Sequence, residues 1–191
     1  MKIRLMTAAV VLLTAFLARA DAQVLGDKPW TTVGAAGTVS TPDLNDVVYY
    51  TGGWVGLSAN ASTAYIRYNV VAVDGLFETN GLQPVRPRLT IKFLDTGENA
   101  RVYVTLKEFD LNNSLGAGAH LAEFDSNNYA PDNQFQTRYL DCSIDNFEFD
   151  FVNKAYFLEV KLTRAVGSDD KVGLAVMQLG KAPSACFVAP H

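Results

Sequence analysis

Two copies of the pattern L-x-E-F-D-x-N-N, Leu106 to Asn113 and Leu121 to Asn128, lie fifteen residues apart, and Glu-Phe-Asp recurs at 148–150. Asp110, Asn112, Asp125 and Asn127 carry oxygen donors of the kind that Ca²⁺ takes. If the copies close successive antiparallel strands, however, they sit at opposite ends of a sheet, about 17–20 Å apart. Asp110 does not open an EF-hand loop either, because the sixth position is Leu115 rather than Gly and the twelfth is Leu121 rather than Glu. The expectation is two strand ends that alternate a buried Phe with solvated acids, and no residue is assigned as a metal ligand.

The remaining chemistry is sparse. Cys142 and Cys186 are the only cysteines, and His120 and His191 the only histidines. An even pair of cysteines in an exported chain is expected to form a disulfide, which closes the C-terminal tail onto the body and stabilises by about 4 kcal/mol in the chain-entropy picture. His120 falls on an expected strand with no Ser-x-Gly elbow nearby, and neither H-E-x-x-H nor a glycine-rich phosphate loop occurs. Among the many acids, no pair stands in an apolar setting that would raise one pKa for glycoside hydrolysis. No residue is therefore assigned as catalytic or cofactor-binding, and no cofactor is expected.

Aromatic residues are plentiful: 8 Tyr, 11 Phe and 2 Trp. Most Phe fall on apolar faces, where core packing accounts for them. Tyr49, Tyr50, Trp54, Tyr65, Tyr103 and Tyr129 are not committed in this way. A row of such rings on the outside of a sheet stacks sugars, because a ring face offers flat apolar area with a polar rim. Packing in the core or at a sheet edge is the competing account.

The elements that must position these residues follow an exported leader. MKIR is a charged start, LMTAAVVLLTAFLA is an apolar run too short to span a membrane, and Ala20-Asp21-Ala22 has the small-x-small cleavage pattern. Residues 1–22 read as a signal peptide cut between Ala22 and Gln23, and the protein is expected to be secreted or periplasmic. Removing Lys2, Arg4, Arg19 and Asp21 with the leader takes the net charge from −4 to −6. Basic residues are scattered singly among acids, so neither nucleic acid nor an anionic membrane surface is expected as a partner, and the mature chain has no membrane span.

Residues 23–45 read as an irregular lead-in, and 46–191 as one domain. Its strands show period-2 alternation. Ile66, Tyr68 and Val70 share one face, as do Leu89, Ile91 and Phe93, then Val102, Val104 and Leu106, then Tyr156, Leu158, Val160 and Leu162. Residues 147–151 and 156–162 are expected to form a hairpin about 152–155 that sets Phe149 against Leu158 and Glu148 against Glu159. Residues 88–93 and 101–106 are expected to form a second hairpin about Asp-Thr-Gly-Glu-Asn. Trp54, after a Gly52-Gly53 turn, is expected to cap the core. No segment of the mature chain has helical periodicity. About nine strands, each with one apolar face, predict an all-β fold: a two-layer antiparallel sandwich, jelly-roll-like, with a closed barrel as the alternative.

The phrases WTTVGAAGTVS, IRYNVVAVDGLF and FEFDFVNKAYFLEVKLTR resemble a group of exported bacterial proteins of unknown function. The resemblance implies a β-sandwich and brings no activity. The expected role is a secreted, non-catalytic binding or structural module, with an extracellular glycan the first ligand and a protein surface the second. The competing class is a hydrolase acting on an extracellular polysaccharide or other polymer.

Overall fold

The computed structural model describes residues 29–72, 87–112, 118–140 and 149–181. Its strands in chain order are β1 (Trp30–Val33), β2 (Thr38–Val39), β3 (Val47–Tyr49), β4 (Val55–Leu57), β5 (Thr63–Val70), β6 (Pro87–Asp95), β7 (Ala100–Asp110), β8 (Ala119–Asp125), β9 (Asp132–Leu140), β10 (Lys154–Arg164) and β11 (Val172–Lys181). One sheet runs β3-β4-β11-β6-β9 with β1 also on β11, and the other runs β2-β5-β10-β7-β8. The pairing is nested. β4 pairs with β11, β5 with β10, β6 with β9 and β7 with β8, all antiparallel. A ribbon folded on itself in this way and wrapped into two layers is a jelly roll, so the expected all-β sandwich is the fold, with eleven strands among the described residues where the alternation predicts about nine.

The alternation read from the sequence marks the core faces. Ile66, Tyr68, Leu89, Ile91, Phe93, Val102, Val104, Leu106, Tyr156, Leu158, Val160 and Leu162 are all buried between the sheets. The lead-in segment supplies β1, β2 and two short 3₁₀ turns, and Trp30 of β1 is buried opposite Leu179. Two polar links tie the layers. The Tyr68 hydroxyl on β5 donates to the Gly34 carbonyl at 2.5 Å, and Gly34 itself lies so close to β11 that a Cβ there would meet the Leu174 carbonyl oxygen at 1.9 Å. At the other link, the Val102 amide of β7 donates to Ser126 Oγ (2.8 Å), which donates to Asp95 Oδ2 of β6 (2.5 Å).

Both expected hairpins are corrected. Leu158 stands opposite Tyr68 on one side and Leu106 on the other, so both edges of β10 are occupied and no position remains for Phe149 beside it. Phe149 instead packs at the end of the core, its ring 4.7 Å from Tyr156 and 5.5 Å from Phe151. Residues 141–148, including Glu148, lie outside the described residues. The Asp150 carboxylate starts β10 by accepting the amides of Val152 and Asn153 (both 3.1 Å). Likewise β6 and β7 do not pair; the turn after Asp95 carries the chain from one sheet to the other. A four-residue connection serves either a hairpin or such an arch, and only the distant partners decide which.

Because Leu158 is wholly buried with both strand edges paired, Leu158→Ala is expected to lower the unfolding free energy by about 2–5 kcal/mol. His120→Ala, at an exposed position of β8, is expected to stay within about 0.5 kcal/mol of the parent. Urea unfolding followed by tryptophan fluorescence checks both.

Candidate aromatic binding face

The turn joining β3 to β4 brings two rings together. The Tyr50 amide donates to the Trp54 carbonyl (3.0 Å), the Gly53 amide donates to Tyr50 (2.9 Å), and Gly53 takes φ = 81°, a conformation that favours glycine. Tyr50 and Trp54 then stack with ring centroids 3.5 Å apart and planes 2° from parallel. The pair lies outside the core, because Val55 and Leu57 point inward and the indole edge at Cε3 and Cζ3 lies against Gly56 and Gly173 on the opposite face. A Cβ at either glycine would approach the indole to 2.9 Å. Glycine in mid-strand here clears the space for a ring.

Phe135 of β9 closes the cluster, meeting Trp54 edge-on at 5.5 Å and 77°. Leu94, opposite Gly173 on β11, is 7% exposed, although it faces away from core-buried Phe93. Tyr50 and Phe135 remain 39% and 37% exposed. Further along the same face Tyr139 is open to solvent, with the Arg88 guanidinium 4.7 Å from its ring centroid. Trp54 is half-buried and does not cap the core as expected; Trp30 occupies the interior instead.

The six uncommitted aromatics therefore divide. Tyr50 and Trp54 come together, and Tyr49 is exposed at the adjoining edge. Tyr65 and Tyr103 lie on the outer face of the other sheet, on either side of Lys161, whose Nζ is 5.5 Å from the Tyr65 ring. The Tyr103 hydroxyl donates to Glu123, and Arg101 lies 4.7 Å from its ring. Tyr129 packs on Phe124 at 5.6 Å beside the core. Sequence reasoning missed Phe135 and Tyr139. On β9 Phe135 and Tyr139 turn outward while Gln136 is buried, its Nε2 donating to the Ala130 carbonyl, and Leu140 packs against the core. The strand's alternation is visible in the sequence, but at Phe135 and Gln136 its sense is inverted.

The acidic repeats sit at opposite ends of the second sheet, as their spacing predicts: Asp110 is opposite Lys154 and Asp125 opposite Tyr103. Each does the same local work. Asp110 accepts the Asn112 amide (2.8 Å) and Asp125 the Asn127 amide (3.1 Å), and Arg101 also grips Asp125 through two hydrogen bonds. Their phenylalanines differ, for Phe124 is buried and Phe109 exposed. Glu159 has Arg67 directly opposite and Lys107 at 2.5 Å. Cys142, Cys186, Ala22 and Gln23 lie outside the described residues.

Two carboxylates titrate in opposite senses. Burial pushes Asp95 above its ordinary 3.8, outweighing the Ser126 hydroxyl and the Gly97 amide, with Asp170 and Asp125 adding to the rise. Its Oδ1 has no hydrogen-bond partner among the described residues. Burial also presses Glu159 upward, but the hydrogen bonds from Lys107 and Arg67 outweigh it and hold the group below its ordinary 4.5. The Asp95 contribution is therefore complete below the unfolded pKa and lost as pH rises through the folded one. The Glu159 contribution is present above the unfolded pKa and lost as pH falls through the folded one. With unfolding followed from about pH 3 to about pH 7, the parent should lose stability relative to Asp95→Asn and gain it relative to Glu159→Gln as pH rises.

No protein-family model matches the sequence, and no curated protein does. Among solved structures, the chain is similar to the CBM36-1 domain of a multidomain xylanase from the hindgut metagenome of Trinervitermes trinervoides. The identity is 11% and the TM-score 0.48, over 82% of this chain and 99% of that one. It is also similar to the xylan-binding module CBM15 (14%, TM-score 0.47, 82% and 98%). A family two carbohydrate esterase from Cellvibrio japonicus matches at 13% identity and TM-score 0.42 over 81% of this chain, which spans 34% of the esterase's length.

Proposed function

We propose that the chain is an exported, non-catalytic β-sandwich module that binds an extracellular glycan on the outer face of the β3-β4-β11-β6-β9 sheet. The observation that carries this reading is the ring cluster of Tyr50, Trp54 and Phe135, held outside the core by glycines that make room for it. Exposed rings of this size are unfavourable in water unless something covers them. The C–H face of a pyranose covers a ring while its hydroxyls stay in solvent. The same reading takes residues 1–22 as a leader cut between Ala22 and Gln23, and Cys142 and Cys186 as a disulfide.

Affinity electrophoresis and calorimetry against a panel of soluble plant and microbial polysaccharides test the site. Trp54→Ala and Phe135→Ala are each expected to weaken binding by about tenfold to thirtyfold, with Tyr65→Ala on the opposite sheet unchanged. Binding unaffected by both substitutions, or binding of no polymer at all, overturns the reading. Intact mass of the secreted protein checks the export terms: the expected species begins at Gln23 and is two hydrogens lighter than its reduced form.

A further inference from the structure

The chain is acidic as a whole, with a net charge of −4, yet its two outer faces differ. The ion pairs that described residues make with one another, Arg67–Glu159, Lys107–Glu159, Arg101–Asp125 and Lys154–Glu108, all lie on β5, β7, β8 and β10 of the second sheet. The first sheet is different. β6 turns Arg88, Thr90, Lys92 and Leu94 outward, and the described residues opposite Lys92, Val176 on β11 and Thr137 on β9, carry no carboxylate. Lys92 is exposed in mid-sheet between Val176 and Thr137, and forms no ion pair among the described residues. It is one outward position along β6 from Leu94, which stands opposite Gly173, where the Trp54 indole packs.

We infer that the glycan taken by this face is anionic: a polysaccharide bearing uronate or sulfate groups, with Lys92 meeting its negative charge beside the aromatic cluster. The inference rests on the glycan reading above and specifies its ligand. Net acidity does not oppose it. At physiological ionic strength charges are screened within about 8 Å, and the two sheets of a sandwich stand about 10 Å apart, so the cations of the ligand's own face govern the encounter. A neutral glycan needs no such charge, and a lysine set between Val176 and Thr137 supplies attraction without an acid opposite that would compete for it.

The test uses matched polymers and the mature protein. A uronate polymer is compared with its carboxyl-reduced form, and a sulfated galactan with its desulfated form, which separates the two sources of charge. One of the charged forms is expected to bind several-fold more tightly than its neutral counterpart, with the difference shrinking as salt is raised from about 50 mM to about 500 mM. Lys92→Gln is expected to cost about threefold to fivefold on the charged polymer alone, and Lys92→Glu to reverse the preference. Equal or tighter binding of the neutral forms overturns the charge inference and leaves the aromatic face standing. A preference that survives Lys92→Glu removes Lys92 from the site. Binding of no polymer, charged or neutral, overturns both readings.

Discussion

The burial of β10 is the constraint on which the rest of the molecule depends. Leu158, Val160 and Leu162 are wholly buried and Tyr156 nearly so, while every residue from Tyr156 to Thr163 has a partner on both sides. A strand in this position cannot be stabilised by its sequence neighbours. Its partners β5 and β7 come from much earlier in the chain, just as β11 in the other sheet joins β4 to β6. The nested order therefore makes the centre of each sheet wait for the end of the chain, and long-range closure of this kind is slow because its loop entropy is lost before any contact is gained.

Much of the core was legible in the sequence because side-chain alternation is a local property. A period of two in apolar residues marks which side of a strand faces inward; β5 and β10 obey it throughout, β6 as far as Phe93 and β7 as far as Val104. Which strand lies beside which is not local. The run around Phe149 and the run around Leu158 each look like half of a hairpin, and the chain between them is short enough to turn. What excludes the hairpin is that Tyr68 and Leu106 have already taken both sides of Leu158. The charge arithmetic carried a trace of this. A hairpin would have set Glu148 against Glu159, whereas the actual register gives Glu159 an arginine opposite and a lysine within reach, an arrangement that favours rather than opposes pairing.

The aromatic face was half legible for a different reason. Tyr50 and Trp54 stood out because they flank a glycine turn and belong to no apolar run. Phe135 did not, since a phenylalanine in an alternating segment reads as core, and on β9 the interior position goes to Gln136 instead. An edge strand tolerates this inversion because its inner positions border the open end of the layer, where an amide reaches a carbonyl such as that of Ala130. The glycines held the missing signal. Gly56 and Gly173 interrupt strands whose neighbours are all buried, and a glycine in mid-strand marks the close approach of another group, here the Trp54 indole.

The two outer faces solve the problem of solvent in opposite ways, and that difference is an argument about use. On the second sheet nearly every long side chain has a counterpart on the next strand: Glu159 between two cations, Arg101 on Asp125, Lys161 beside Tyr65. Such a lattice is satisfied as it stands, and a ligand would have to break pairs in order to bind. On the first sheet the rings of Tyr50 and Phe135 stay partly exposed, with Lys92 beyond Leu94 along β6. Stacking Tyr50 on Trp54 shelters one face of the indole, and both rings belong to one short turn. A surface that is rigid and incompletely covered loses little conformational freedom on binding. The proposed recognition therefore uses the sheet on which Tyr50, Phe135 and Lys92 stay partly uncovered, rather than the one whose charges are already paired.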